Sequence, residues 1–328
     1  MLPADLTLDD VLGMYRRMVL IRTFEDQVYY LFLRGGMPGT VHQSQGQEAV
    51  AVGVCSQLRT DDFILSGHRP HGHALAKGIT PRAAMAELFA KVTGCSRGKG
   101  GSMHLGDPDV GMITSLAIVG ASCTIAPGVA LAFKLRRTKQ VAVAFFGDGA
   151  SNEGAFHEGL NFAAVQRLPV IFVCENNLYG ASTPYHQVSL VPNVADRACA
   201  YGIPGCVVDG MDVLAVYEAA REAIARARAG GGPTLLECKT YRFGGHSRSD
   251  RAAYRPQEEL EAWRRRDPII NLANRLLGEG LVTKEQLEAI HREVEQEIAD
   301  AISYAQSAPS PALEEALADV FADTTRNG

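Results

Sequence analysis

Asp148 lies between Gly147 and Gly149, directly after the apolar run 141–146. Asn176 and Asn177 close a second apolar run that starts at Val170. Short apolar runs that stop on turn residues read as buried strands. Twenty-six residues lie between Gly149 and Asn176, enough for one helix. Strand, turn, helix and strand make a βαβ unit, and such units place ligands outside the carboxyl ends of their strands. An acid between glycines is ordinarily a turn residue, but here an asparagine arrives at the same edge. Two oxygen ligands with open positions beside them suit Mg²⁺ bridged to a diphosphate. A helix expected to start near Ser151 would aim its amino end at the same phosphates.

Glycine-aspartate-glycine, followed at this distance by asparagine-asparagine, resembles the thiamine diphosphate signature. The filling, S-N-E-G-A-F-H-E-G-L-N-F-A-A and L-P-V-I-F-V-C-E-N-N, resembles the alpha subunits of the decarboxylating components of 2-oxo acid dehydrogenases. The likeness runs from about Tyr15 to about Pro256. It implies Mg²⁺ ligation by Asp148, Asn177 and the carbonyl of Tyr179, with Gly149 and Ala150 giving backbone to the diphosphate.

Other stretches resemble the same family. S-G-H-R-P-H-G-H is similar to its aromatic-Arg-x-His-Gly segment, with His68 in the place often held by tyrosine, as in acetoin-type members. By that likeness Arg69 grips diphosphate with both prongs of its guanidinium, His68 borders the cofactor and His71 serves catalysis. His68, His71 and His73 are also close enough in sequence to suggest a metal site. No carboxylate or cysteine stands nearby to complete one. T-V-H-Q-S-Q-G-Q-E resembles the substrate-side loop, which gives His42 a catalytic role. Y-R-F-G-G-H-S-R-S-D resembles the His-Gly-His-Ser loop over the active-site mouth, giving His246 a part in substrate binding and acyl transfer. Gly244 replaces the first histidine of that loop. Ser247 and Ser249 match serines that are phosphosites in mitochondrial relatives, and the absence of a targeting peptide speaks against that use here. Ala117, Ile118 and Val119 align with the segment that meets the aminopyrimidine ring, while Leu116 and Ala117 depart from its usual polar or glycine residues.

The elements that must position these residues are legible in outline. Helices are expected over Leu8–Leu33, Gln47–Leu58, Thr80–Lys91 and Val213–Arg228, from helical spacing of apolar residues and, at Thr80-Pro81, a cap and a first-turn proline. Strands are expected over Phe63–Ser66, Val141–Phe146, Val170–Cys174, Cys206–Asp209 and Thr234–Thr240. Their alternation implies an α/β fold, a parallel sheet with helices on both faces; the resemblance identifies it as the thiamin diphosphate-binding fold. Residues 1–255 form that domain. Residues 256–328 form a charged helical tail packed on the core or a partner, with a capping box at Thr283–Gln286 and a last short helix after Pro311.

Composition narrows the classes. The net charge of −5 gives no nucleic-acid footprint. Seven cysteines without C-x-x-C spacing suit reduced thiols in the cytoplasm, and the acidic amino terminus lacks a signal-peptide pattern. Residues 113–133 carry no charge over 21 positions, membrane-spanning length. Their glycines, serines, threonines and Pro127 fit a buried loop and helix better. The glycine-rich stretch 93–111 lets backbone pass close to a ligand or a partner chain.

A glutamate must meet the pyrimidine ring of thiamine diphosphate, and in this family it belongs to a separate beta subunit. A chain with room for one such domain is therefore half of an active site. The resemblance implies an α₂β₂ heterotetramer with a beta subunit, a lipoyl acyltransferase as acceptor of the acyl group, and a small 2-oxo acid such as pyruvate, or acetoin, as substrate. A split transketolase-like enzyme and a non-catalytic paralogue of the fold are the alternatives. Intact Asp148, Asn177 and Arg69 argue against the paralogue.

Overall fold

The computed structural model describes Pro3 and residues 5–318. Its centre is a six-stranded, wholly parallel sheet: β1 (Phe63–Ser66), β2 (Met112–Ser115), β3 (Ala142–Gly147), β4 (Val170–Asn176), β7 (Gly205–Asp209) and β8 (Thr234–Lys239), in the order β2-β1-β3-β4-β8-β7. A two-residue pair, β5 (Tyr179–Gly180) with β6 (Thr183–Pro184), stands apart from it. Successive side chains of a strand point to opposite faces. Val143 and Phe145 of β3 therefore join one core and Ala142, Ala144 and Phe146 the other. Both faces are covered, which is why β3 and β4 read as continuous apolar runs rather than alternating ones.

One layer holds α1 (Leu8–Leu33), α2 (Glu48–Cys55), α3 (His71–Lys77), α4 (Pro81–Leu88) and α8 (Val213–Arg228). The other holds α5 (Ala121–Arg136) and α6 (Gly154–Val165). α7 (Tyr185–Val188) is a single turn after β6. Glycine sets the spacing in each layer. A Cβ at Gly53 would come 2.7 Å from Val216 of α8, and one at Gly159 would come 2.0 Å from the Cys123 carbonyl of α5. The tail folds into α9 (Gln257–Arg264), α10 (Pro268–Gly278) and α11 (Lys284–Ser307). Leu287, Val294 and Ile298 of α11 belong to the same buried cluster as Val11 and Met14 of α1. Thr283 and Gln286 form the capping box that starts α11.

Several expectations need correction. The helix after Asp148 starts at Gly154, not near Ser151; residues 148–152 form a 3-10 turn. α2 stops three residues before Leu58, at Cys55. The stretch 113–133 does hold a loop and a helix, but the helix buries only one face, through Cys123, Ala126, Ala130 and Phe133. The stretch begins inside β2, an edge strand, and leaves Ile118 and Ile125 exposed. Polar spacing hid that strand, because an edge needs only four residues of pairing. After Pro311 the backbone makes a 3-10 turn over Leu313–Leu317, and the rest of the expected last helix lies outside the described residues. Among the described residues no helix is long and apolar enough to cross a membrane.

Candidate active site

A cleft of about 420 Å³ opens at the carboxyl ends of β1, β3 and β4. Each strand delivers part of its wall: His68 and Arg69 after β1, Asp148 to Ala150 after β3, Asn177 and Tyr179 after β4. Ile118 and Val119 follow β2, and Arg242 and His246 follow β8. Of the expected site residues, His42, His71 and Ala117 do not line it.

The acidic end is under-satisfied. Asp148 is buried, and its Oδ1 accepts the Asn177 N–H at 3.3 Å while Oδ2 has no partner. Asn177 donates its amide to Gln47 Oε1 at 3.1 Å, and its own Oδ1 has no partner. A buried carboxylate oxygen and a buried amide oxygen left unpaired on one cleft wall are costly unless something meets them. Burial pushes the Asp148 carboxyl up to about 6, from the usual 3.8. A hard cation would remove both penalties, so the donor set fits Mg²⁺. Among the described residues no group of three His, Cys, Asp or Glu could hold a metal ion.

Backbone geometry supports the same use. Leu178, between Asn177 and Tyr179, has φ +73°, a left-handed conformation that costs a non-glycine residue about 1 kcal/mol or more. The Asn176 side-chain oxygen holds it by accepting the Leu178 N–H at 3.0 Å. A Cβ on Gly149 would lie 3.2 Å from Gly180 Cα, so the Asp148 turn packs tightly against the β5–β6 pair. Tyr179 is fixed by its hydroxyl, which donates to Glu259 of α9 at 2.8 Å.

The basic end carries two guanidiniums. Arg69 is buried and donates to the Gln43 carbonyl at 2.8 Å and the His246 carbonyl at 2.6 Å, with His246 Nδ1 3.1 Å away. Burial and then neighbouring Arg242 bring its pKa down to about 9. Arg242 is the second, and the sequence reading missed it. It donates to the Ala181 carbonyl at 3.1 Å and the Tyr254 hydroxyl at 2.9 Å. Arg242 follows the end of β8 by three residues, as Arg69 follows the end of β1, and that spacing was the signal that could have found it.

Three imidazoles meet at this end. Ring centroids are 5.0 Å apart for His42 and His68, 5.1 Å for His42 and His246, and 5.5 Å for His68 and His246. Burial, followed by the charge of Arg69, depresses all three: His42 and His246 to about 4, His68 to about 2. They stand neutral at pH 7 and can accept a proton or a hydrogen bond. Buried His42 Nδ1 and His68 Nε2 are without partners.

His71 and His73 part from them. His71 is fully buried, with Nδ1 3.0 Å from Glu25 Oε2 and Nε2 2.9 Å from Ser102 Oγ. His73 stacks on Phe145 at 3.9 Å and shares a 2.8 Å hydrogen bond with Ser66 Oγ. Its Nε2 lies 3.3 Å from Glu175 Oε1, an ion-pair distance without hydrogen-bond geometry. The three histidines of 68–73 therefore point to three environments and do not form a metal site. His73 and Glu175 both reach the cleft wall and were not anticipated there. At the other rim, Ile118 is 73% exposed and Val119 46%. Ala117 sits outside the wall, its N–H 3.4 Å from His104 Nε2.

A family model described as the dehydrogenase E1 component matches residues 16–314. The alpha subunit of acetoin:2,6-dichlorophenolindophenol oxidoreductase from Bacillus subtilis (strain 168) is 50% identical over 324 residues, 98% of this chain and 97% of that protein. The pyruvate dehydrogenase E1 alpha subunit of Rhizobium meliloti (strain 1021) is 42% identical over 97% of this chain and 92% of its own length. A human testis-specific mitochondrial form of that subunit is 40% identical over 94% and 79%. These relatives are alpha subunits, which implies a second kind of subunit, and the E1 family implies use of thiamine diphosphate. Matched along nearly its whole length, the chain belongs to the dehydrogenase E1 component family, the oxidoreductase components of 2-oxo acid dehydrogenases.

Proposed function

We propose that this chain holds Mg²⁺ and the diphosphate half of thiamine diphosphate, and that with a beta subunit in an α₂β₂ heterotetramer it oxidises acetoin or a small 2-oxo acid such as pyruvate. The observation that carries this is the pair of unpaired buried oxygens, Asp148 Oδ2 and Asn177 Oδ1, at one strand edge. Asp148, Asn177 and the Tyr179 carbonyl would hold the cation. Gly149 and Ala150 would offer backbone to the diphosphate, and Arg69 and His68 would flank it. Bound there, thiamine diphosphate supplies the carbon nucleophile and electron sink for cleaving a bond next to a carbonyl.

The chain's own residues then do the remaining work. Arg69 and Arg242 offset phosphate charge. His246 on the cleft wall would orient the substrate carbonyl, with neutral His42 packed against it at 5.1 Å between ring centroids, and the two would hold or return a proton on their ring nitrogens. Negative charge brought into the cleft would raise their pKa values toward neutrality. His71, tied between Glu25 and Ser102, would serve catalysis by positioning α3 and the segment around Ser102 rather than by touching substrate. Ala117, Ile118 and Val119 would form the rim toward the aminopyrimidine ring. The cleft contains one glutamate, Glu175, and it sits in register with Gly147 at the diphosphate end. Beside the Ile118–Val119 rim, Glu153 packs against Gly120 but does not line the cleft, so this reading gives the pyrimidine-facing glutamate to the beta subunit. A lipoyl-lysine of an acyltransferase would receive the acyl group. A cytoplasmic setting suits such an assembly.

The test is reconstitution. Chain free of partner, checked by mass spectrometry, is expected to show no turnover of pyruvate or acetoin with an artificial electron acceptor. Adding the beta subunit is expected to restore cofactor binding and turnover, and a comparison with branched 2-oxo acids assigns the substrate. Robust turnover by the lone chain would overturn the split site.

A further inference from the structure

A second cavity, of about 940 Å³, lies beside the loop that carries His246, and His246 itself lines only the first cleft. Four arginines and three aspartates contribute to its wall. The aspartates are already engaged. Asp267 accepts from Arg22 at 2.8 Å and from the Ile269 N–H at 2.9 Å, at the start of α10. Asp250 accepts from the N–H groups of His246 and Ala252 and from the Tyr254 hydroxyl. Asp26 accepts from the Gln45 amide at 2.5 Å. Arg22 is engaged too, held by Glu48 as well as Asp267.

The other three arginines are not. Among the described residues, Arg248, Arg251 and Arg264 have no ion pair and no side-chain hydrogen bond. The Arg248 guanidinium lies 3.3 Å from the centroid of the Tyr29 ring, and its buried Nε has no partner. Arg264 stands 6.0 Å from the centroid of Phe243. A guanidinium stacked on a ring keeps its N–H edge free for a planar or tetrahedral anion. The lining carries four guanidiniums against three carboxylates, and the three guanidiniums without partners offer N–H donors that its already hydrogen-bonded acids do not meet, which suits such a group. The volume falls within the range of small-molecule sites, so there is room for more than a lone phosphate.

We infer that this cavity binds a small anion bearing phosphate or carboxylate groups, gripped by Arg248, Arg251 and Arg264, at a site distinct from the cleft. It also has a route to the cleft. Ser247, Arg248 and Ser249 line the cavity, while His246 of the same loop accepts the Arg69 guanidinium on the other side. An anion that draws Arg248 off Tyr29 would reposition His246 and, through it, Arg69.

Calorimetric titration of the purified full chain at low ionic strength, with inorganic phosphate in one arm and citrate in the other, separates the two anion sources. For the tighter anion, Arg248→Gln with Arg251→Gln is expected to weaken binding roughly tenfold or more, and Arg69→Gln, which reaches the cavity only through the His246 loop, to change it several-fold less. If the double variant does not fold, Arg251→Gln alone, at an exposed side chain without a hydrogen bond, ion pair or ring contact among the described residues, is expected to weaken binding about threefold or more. Loss of binding in Arg69→Gln with none in the arginine-cavity variants would place the anion in the cleft and overturn the inference. So would the absence of binding of either anion to the wild-type chain up to about 10 mM. Neither cofactor nor beta subunit enters this experiment, so its failure leaves the proposed function standing, and failure of that function leaves this site standing.

Discussion

Replacing Asp148 by asparagine is expected to stabilise the cation-free chain above neutral pH, although it removes the residue on which cation binding depends. Burial pushes this carboxyl from 3.8 up to about 6. The native state therefore holds the proton more tightly than the unfolded chain does. A raised carboxylate pKa contributes stability that is whole below about pH 4 and lost as pH rises through about 6. A shift of roughly two units corresponds to about 3 kcal/mol, an order-of-magnitude figure. Asparagine avoids that loss, because it never ionises, and its amide oxygen can still accept the Asn177 N–H that Asp148 Oδ1 accepts at 3.3 Å. His42 and His246, with pKa values near 4, titrate in an overlapping window with the opposite sign, since each is neutral when folded and charged when unfolded. Both proteins share those groups, so the difference between them cancels the histidines. The assay is urea unfolding in chelator at about pH 5 and about pH 8. The variant is expected to gain on the wild type between the two by about 1.4 kcal/mol, the part of the roughly 3 kcal/mol still present at pH 5. Adding Mg²⁺ and thiamine diphosphate to the assembled protein is expected to reverse the order, because only the wild type gains binding energy. Parallel pH curves in chelator, or a variant less stable at pH 8, would refute the argument that an unneutralised buried charge resides at Asp148.

Two further outcomes follow from single contacts. Arg69→Lys is expected to weaken cofactor binding roughly tenfold or more in the assembled enzyme, since one ammonium cannot bridge the Gln43 and His246 carbonyls and also face a diphosphate; unchanged affinity, measured by calorimetry, would show that charge alone matters there. Glu87→Ala is expected to cost about 3 kcal/mol and to loosen the glycine-rich loop, because this buried carboxylate accepts the N–H groups of Ser96, Gly98, Gly100 and Gly101. Hydrogen exchange at those amides checks it, and protection equal to wild type would mean the loop is held by something else.

What the sequence made legible depends on how local each determinant is. The ends of β1 at Phe63 and Ser66 and both ends of α8 are set by nearby residues: apolar runs, the Asp212 cap and the glycines after Ala229. Asp148, Asn177 and Arg69 were legible for the same reason, since each follows its strand by at most three residues and a parallel sheet brings strand ends together. β2 was not legible, because an edge strand of four residues needs no alternating pattern when β1 alone decides its pairing. Nor was the split among the histidines. His68, His71 and His73 lie within six positions, yet α3 begins at His71 and turns the chain by helical rather than extended steps. That rotation sends His71 to Glu25 of α1 and His73 to Phe145 of β3, residues 46 and 72 positions away. Spacing fixes which side chains share a face only within one element. Where a strand end passes into a helix start, the partner elements decide, and here they leave His68 in the cleft with Arg69 while turning its neighbours into support.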